Sequence, residues 1–218
     1  MTTLQFETDA SGNRWLRDKH FDGVTFADLS LNTAAGSTLL LERLSLLHCK
    51  TDPGTCWIGG QTTLRDVVIE DLECGDAMRF DSNCRFECVV LRQKKPTGKL
   101  LITPVDADLP CGDDIDSWCL DITEFIGAEV VVVGLPADRV RINPDRHVIV
   151  HRNWRYQLDW ALLGLNRLGF IGLTTKKVDV HARETGIFSL PDPKKNNHHY
   201  REAVAEIDLL RRAGIIIG

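Results

Sequence analysis

The sequence lacks several features that would assign the chain to a class at once. No apolar run approaches the roughly 20 residues that a membrane-spanning helix needs, and the opening MTTLQFETDASGN is acidic, without an apolar signal core. The seven cysteines are odd in number and include no Cys-x-x-Cys pair, which argues against a disulfide framework. We therefore expect a reduced, cytoplasmic protein that has no membrane partner.

Recognisable reaction motifs are also missing. The sequence has no G-x-S-x-G nucleophile motif, no glycine-rich phosphate loop and no EF-hand spacing. We expect no cofactor and no bound metal. The missing reaction motifs favour a non-enzymatic protein over an enzyme. A zinc site built from Cys84, Cys88, His48 and Cys49 is the alternative, although its spacing matches no structural zinc pattern.

Lysine and arginine are absent from residues 100–138, which contain nine acidic residues. The chain carries a formal net charge of −5, made of −11 over residues 1–138 and +6 over residues 139–218. Such asymmetry creates a directional field that speeds the capture of a partner of opposite charge. Alternatively, the basic part docks on the acidic part of its own chain.

What the sequence does contain is a recurring strand pattern. Phe21-x-x-Val24-x-Phe26 returns 43 residues later as Leu64-x-x-Val67-x-Ile69, with a looser copy, Leu41-x-x-Leu44-x-Leu46, between them. Apolar residues two apart predict a strand with one buried face. Their return every twenty-odd residues predicts stacked coils, so the chain resembles parallel β-helix proteins at the level of the fold.

The predicted fold is therefore mainly β, a short parallel β-helix (a β-solenoid) with a C-terminal α+β cap. Residues 1–20 form the entry strand and cap, residues 21–150 the solenoid, and residues 151–218 a helix–hairpin–helix segment that caps or packs on it. The helices are predicted from Asn153 to Gly169 and from about His198 to Ala213, and the hairpin across Glu184–Gly186. A β-sandwich with helices is the alternative fold, since it also has short strands separated by turns.

The acidic stretch suggests a partner interface. Small bacterial proteins of the cytoplasm with this kind of fold act as immunity proteins or antitoxins, and an acidic inhibitor suits a basic toxin or enzyme. Aromatic side chains in polar loops are enriched at interfaces. The candidate interface residues are Asp106, Asp108, Asp113, Asp114, Asp116 and Trp118.

Two other functions remain open at this stage. A carbohydrate-active β-helix enzyme would need two carboxylates about 5–9.5 Å apart, which Asp113, Asp114 or Asp116 would supply. The basic C-terminal segment would bind nucleic acid if Arg211, Arg212, Lys176 and Lys177 met phosphates. His147 and His151 flank a Val-Ile-Val run that favours a strand, on which their rings stand too far apart to share a metal ion.

Overall fold

The computed structural model of the chain is a β-solenoid of about five turns, which confirms the predicted fold. The structure describes residues 1–51, 56–105 and 118–215. Strand makes up 38% of the chain and helix 17%, so the protein is mainly β. None of the helices in the described ranges combines the length and the apolar character that a bilayer crossing requires.

The strands of the described residues are short, and most are joined by tight turns. They are β1 (Glu7–Thr8), β2 (Arg14–Asp22), β3 (Thr25–Phe26), β4 (Leu29–Leu31), β5 (Leu39–Leu47), β6 (Lys50–Thr51), β7 (Cys56–Ile58), β8 (Thr62–Arg65), β9 (Val68–Glu70), β10 (Met78–Asp81), β11 (Arg85–Glu87), β12 (Val89–Arg92), β13 (Lys99–Thr103), β14 (Leu120–Asp121), β15 (Glu129–Val133), β16 (Val140–Arg141), β17 (His147–His151) and β18 (Thr185–Ser189). A 3-10 helix spans Ala137–Arg139, and the α-helices are α1 (Trp154–Gln157), α2 (Phe170–Val180) and α3 (Asn197–Arg212).

Each coil contributes strands to two main sheets. Sheet I follows the order β1-β2-β5-β9-β12-β14-β16, with β8 and β11 pairing beside this path. Sheet II follows the order β17-β18-β15-β13-β10-β7-β4, and a small third sheet pairs β3 with β6. All pairs within the solenoid are parallel, so the backbone hydrogen bonds of one coil are made with the coils before and after it.

Inward-facing residues form continuous apolar columns. In sheet I, Leu16 stacks on Leu41, then on Leu64 and Phe86, and all four side chains are buried. In sheet II, Leu29 is followed by Cys56, Met78, Leu100 and Val130. Buried cysteines therefore fill core positions as small apolar side chains.

The register of the first coil differs from the one that the sequence pattern predicts. The step from Leu41 to Leu64 is confirmed, but Phe21 stacks on Leu46 and not on Leu41. The inward residue below Leu41 is Leu16, because the first coil begins in β2 at Arg14. Four exposed polar residues, 17–20, separate Leu16 from Phe21 and conceal the apolar alternation.

One corner of the coils is built by left-handed backbone. The residues there are Asp18 (φ 53°), Arg43 (49°), Asp66 (52°) and Cys88 (55°). They occupy equivalent positions, each directly after one of the stacked residues Arg17, Glu42, Arg65 and Glu87. Non-glycine residues avoid positive φ, so the repetition shows that the coil geometry imposes this conformation.

Both a short strand and a charged side chain protect the exposed end of the first coil. β1 pairs antiparallel with the start of β2, and Leu4 is buried against the core. Lys19 stands where the next coil has the buried Leu44, and it is exposed. A lysine at an inward position discourages another sheet from adding to this end.

The C-terminal segment packs on the last coil. β18 lies antiparallel between β15 and β17 and so covers the edge of the last parallel strand of sheet II. The outer face of these strands, with Val131, Val133 and Phe188, forms a second core with Ile171 and Val178 of α2 and with residues of α3.

Two details of this segment differ from the prediction, and one agrees with it. α3 confirms the predicted second helix. The first helix ends after one turn, because Leu158 is extended and the Asp159 carboxylate accepts a hydrogen bond from the Leu162 backbone N–H. The prediction of a hairpin across Glu184–Gly186 is wrong. Helix α2 occupies Phe170–Val180, where the first strand of the hairpin was expected, and only the second strand forms, as β18.

The corner conformation predicts a contrast between two substitutions of the exposed Asp66. We expect Asp66→Gly to leave the free energy of unfolding unchanged or raise it by up to about 1 kcal/mol, since glycine adopts positive φ without strain. Asp66→Val should lower it by about 1–2 kcal/mol, because its branched Cβ clashes in the left-handed region. Urea unfolding of both variants checks this, and equal stabilities would contradict it.

The buried His147 predicts a specific pH dependence. Burial lowers the pKa of His147 from 6.5 to about 4. Between these values the unfolded chain binds a proton that the folded chain does not, so unfolding free energy should fall by about 3 kcal/mol as the pH drops through this window.

The matched variant is His147→Asn, since the asparagine Oδ1 takes the place of Nδ1 and can still accept the hydrogen bond that the Asn143 backbone N–H donates to His147 Nδ1 over 3.2 Å. Chemical denaturation at several pH values should show a flatter dependence for this variant between pH 6.5 and 4. The same slope in both proteins would rule out His147 as the source.

Candidate partner-binding corner

The acidic segment lies in sequence between β13 of sheet II and β14 of sheet I. Three residues, 59–61, join β7 to β8, and three, 82–84, join β10 to β11. Sixteen residues, 104–119, separate β13 from β14, but β14 pairs with β12, the strand after β11, so this span covers more of the coil than the two shorter ones. We call residues 104–119 the insertion corner.

The stacking distances along the chain give the size of the insertion. Met78 pairs with Leu100, 22 positions later, whereas Leu100 pairs with Val130, 30 positions later. In sheet I, Ile69 pairs with Leu91 after 22 positions and Val89 with Leu120 after 31. The coil therefore holds eight or nine residues more than the coil before it, yet the strands on both sides keep their register.

The entry to the insertion corner is held by Asp81 of the preceding coil. Its carboxylate Oδ1 accepts hydrogen bonds from the backbone N–H groups of Asn83 (2.9 Å) and Val105 (3.5 Å). Asp81 is only 6% exposed. A buried carboxylate that accepts backbone hydrogen bonds positions the turn in its own coil together with the first residue of the longer one.

The exit is held by Trp118. This side chain is half-buried, and the Arg141 guanidinium of the next coil lies over its ring at 4.4 Å from the centroid. The backbone N–H of Cys119 donates to the carbonyl of Arg139 at 2.9 Å. A cation–π contact of this kind contributes about 0.5–1 kcal/mol at an exposed site, so the segment returns to the solenoid at a defined point.

Of the predicted interface residues, Trp118 is the one that the structure describes. Asp106, Asp108, Asp113, Asp114 and Asp116 lie outside the described residues, and so do the carboxylates considered for glycoside hydrolysis. The sequence pattern did not reveal that the acidic stretch falls in a coil longer than the one before it. The lengthening of the step from 22 to 30 residues would have shown it, once the register of sheet II was known.

Elsewhere on sheet I, acidic side chains are neutralised within the protein. Arg17, Glu42, Arg65 and Glu87 stack in register with alternating charge. Glu42 lies 3.1 Å from Arg17 and 3.3 Å from Arg65. Arg65 also binds Glu87 and lowers the pKa of that carboxyl. We call these four residues the charge ladder. Their positive and negative charges largely cancel one another.

Two further acidic side chains, Glu70 and Asp76, are also paired with cations of the protein. Lys94 ion pairs with Glu70 and lowers its pKa, and Arg92 approaches the same carboxylate at 3.6 Å. Asp76 contacts Lys99 at 2.8 Å and Arg79 at 3.2 Å. The described carboxylates of these two clusters are therefore compensated by cations of neighbouring strands and turns.

The predicted alternative of a zinc site is wrong. Within the described ranges, the only three potential ligands whose atoms lie within 4.8 Å of one another are His48, Glu70 and Asp71. Glu70 is already paired with lysine and arginine, which opposes a further cation. Burial raises the pKa of Cys84 to about 12, so that this thiol remains protonated and is a poor ligand.

The basic residues considered for nucleic-acid binding are partly engaged inside the protein. Lys177 lies 3.4 Å from Glu129, and Arg211 lies 3.5 Å from Asp208. Trp57 is in β7 on the outer face of sheet II and is 44% exposed.

Comparison of the chain with protein-family models, with curated proteins and with solved structures finds no match. Function is therefore inferred from the charge and geometry of the insertion corner.

The role of Asp81 at the entry to the insertion corner predicts that two aspartate substitutions change the free energy of unfolding by unequal amounts. Asp81→Ala should lower the free energy of unfolding by about 1–3 kcal/mol, because it leaves backbone N–H groups without an acceptor in a buried site. Asp9→Ala removes similar hydrogen bonds, to Ser11 and Asn13, from an exposed turn and should cost well below about 1 kcal/mol. Urea unfolding compares the two, and equal losses would contradict the assigned role of Asp81.

Proposed function

We propose that the protein is a non-enzymatic binding module of the immunity-protein or antitoxin type, which captures a basic toxin or enzyme in the bacterial cytoplasm. The proposed contact surface is the acidic segment with Asp106, Asp108, Asp113, Asp114 and Asp116, together with Trp118 at its anchored end. The observation that carries the proposal is the lengthening of one coil from 22 to 30 residues, in the part of the chain that holds the acidic segment, between strands that keep their register. Insertions into one repeat of a solenoid map to loops and often form the binding face.

Charge supports the choice of a basic partner. Residues 106–117 include five aspartates and no lysine or arginine. The acidic groups of the sheet I charge ladder have cations beside them, whereas the sequence of the segment supplies none. An uncompensated acidic surface accelerates the encounter with a basic surface and disfavours acidic partners.

The anchors support a role in binding as well. Asp81 and Trp118 hold the two ends of the segment on adjacent coils of one scaffold. Fixing the ends of a binding loop reduces the conformational entropy that is lost when it meets a partner. The cytoplasmic location is consistent with the cysteines, since the described ones are free thiols and most are buried.

The proposal predicts that affinity for the partner depends on the charge of the segment. The partner is first captured at low salt from a lysate of the source organism, purified and titrated by calorimetry at several salt concentrations. Asp113→Asn combined with Asp114→Asn should weaken binding by about tenfold or more and flatten its salt dependence. Asp145→Asn combined with Glu184→Gln, which removes two exposed acidic groups elsewhere, should change affinity little.

A second variant separates binding from folding. Deleting residues 107–115 returns the coil close to the 22-residue spacing of its neighbours. Shortening a corner loop changes loop-closure entropy only slightly, so the free energy of unfolding should stay within about 1 kcal/mol. Loss of partner binding in this folded variant supports the proposal. Undiminished binding, or the failure to capture any stoichiometric protein, contradicts it.

A further inference from the structure

A cavity between α2 and α3 has features of a binding site that the insertion corner does not share. Its volume is about 700 Å³, within the range of ligand sites. Leu168, Phe170 and Leu173 line it from the start of α2, and Leu209 lines it from α3. The walls are therefore largely apolar.

Part of this apolar lining is in contact with water. Leu168 is 78% exposed and Leu173 is 49% exposed. Large apolar side chains that stand side by side at the surface of a groove are typical of docking sites. A small molecule inside the cavity would leave much of both side chains uncovered, whereas a protein segment lying along the groove would cover them.

Carboxylates supply the charge of the cavity. His199, Glu202 and Glu206 share one face of α3, and all three line the cavity. Among the described residues that form its walls there is no lysine or arginine. The groove therefore combines apolar walls with negative charge and provides no internal cation.

Glu206 is the buried member of this group. It is 9% exposed, and its Oε2 accepts a hydrogen bond from the backbone N–H of Ile171 at 2.8 Å. Burial raises the pKa of Glu206. Gly169 makes the approach possible, because a Cβ at that position would lie 1.8 Å from Glu206 Oε1.

Glu202 is the accessible member. Its side chain is 54% exposed, and the His199 Nδ1 lies 3.1 Å from its carboxylate. A partner group that approaches along the groove would meet this carboxylate without displacing a lysine or arginine. A lysine side chain fits both the apolar walls and the Glu202 carboxylate. Its long alkyl stem covers apolar surface while its ammonium group reaches the carboxylate.

We propose that the α2–α3 cavity is a docking site for an apolar segment of a partner protein that presents a lysine side chain to Glu202. The charge complementarity and the uncovered leucines select this occupant over an acidic or a purely polar one. The inference does not rest on the proposed function of the insertion corner and stands if that function fails.

The test uses the full-length protein with labelled leucine methyl groups and three synthetic peptides. The peptides consist of leucine, alanine and glutamine and differ in one central residue, which is lysine, glutamate or glutamine. We expect the lysine peptide to shift the methyl signals of Leu168 and Leu173 and to bind about tenfold more tightly than the glutamate peptide.

Two substitutions make the result specific. Glu202→Gln should weaken the lysine peptide by about fivefold and leave the glutamine peptide unchanged. Leu162→Ala, which removes an exposed leucine outside the cavity lining, should change neither affinity. Deletion of residues 107–115 should also leave peptide binding intact, which separates this site from the insertion corner.

Any one of the following results would overturn the proposal. They are the absence of methyl shifts with millimolar lysine peptide, equal binding of the lysine and glutamate peptides, and an equal effect of Glu202→Gln on all three peptides. Shifts confined to leucines outside the cavity would contradict it in the same way.

Discussion

The in-register stacking of each coil on the next is the constraint on which the structure depends. Because the sheets are parallel, a strand satisfies its backbone hydrogen bonds only through the coils before and after it. In the first coils of sheet I a residue is therefore followed by a structural equivalent 22 to 25 positions later, as in the step from Leu16 to Leu41 and on to Leu64 and Phe86. Extra residues fit only at corners, where they leave the ladders intact.

The same constraint arranges charge along the surface. Columns that point outward bring side chains of successive coils close together, and like charges in one column would repel. The protein alternates the sign instead, from Arg17 through Glu42 and Arg65 to Glu87. The acidic stretch falls in sequence between β13 and β14, in the coil whose repeat lengthens from 22 to 30 positions, so the regular spacing of the columns is interrupted there.

Local pattern predicts the solenoid but only part of its detail. The alternation in Leu41-x-x-Leu44-x-Leu46 and its repeat at Leu64 was enough for the fold, because two consecutive coils keep the same spacing. The first coil was misaligned, since the end of a solenoid has no neighbour that requires an apolar residue at Lys19. Helix α2 was missed because Val178 and Val180 also suit a strand, and only packing on the outer face of sheet II decides between them. The acidic residues are visible in the sequence, whereas the greater length of the coil that contains them follows only from the register between distant strands.

The central claim is that the insertion corner is the surface at which a basic partner binds. Hydrogen–deuterium exchange of the protein, alone and with its captured partner, tests it most directly because it locates the contact without any substitution. The account predicts increased protection of amides in residues 100–121 and unchanged exchange in β2 and β5, on the flank with the charge ladder. Protection confined to other segments, with residues 100–121 unaffected, would contradict it.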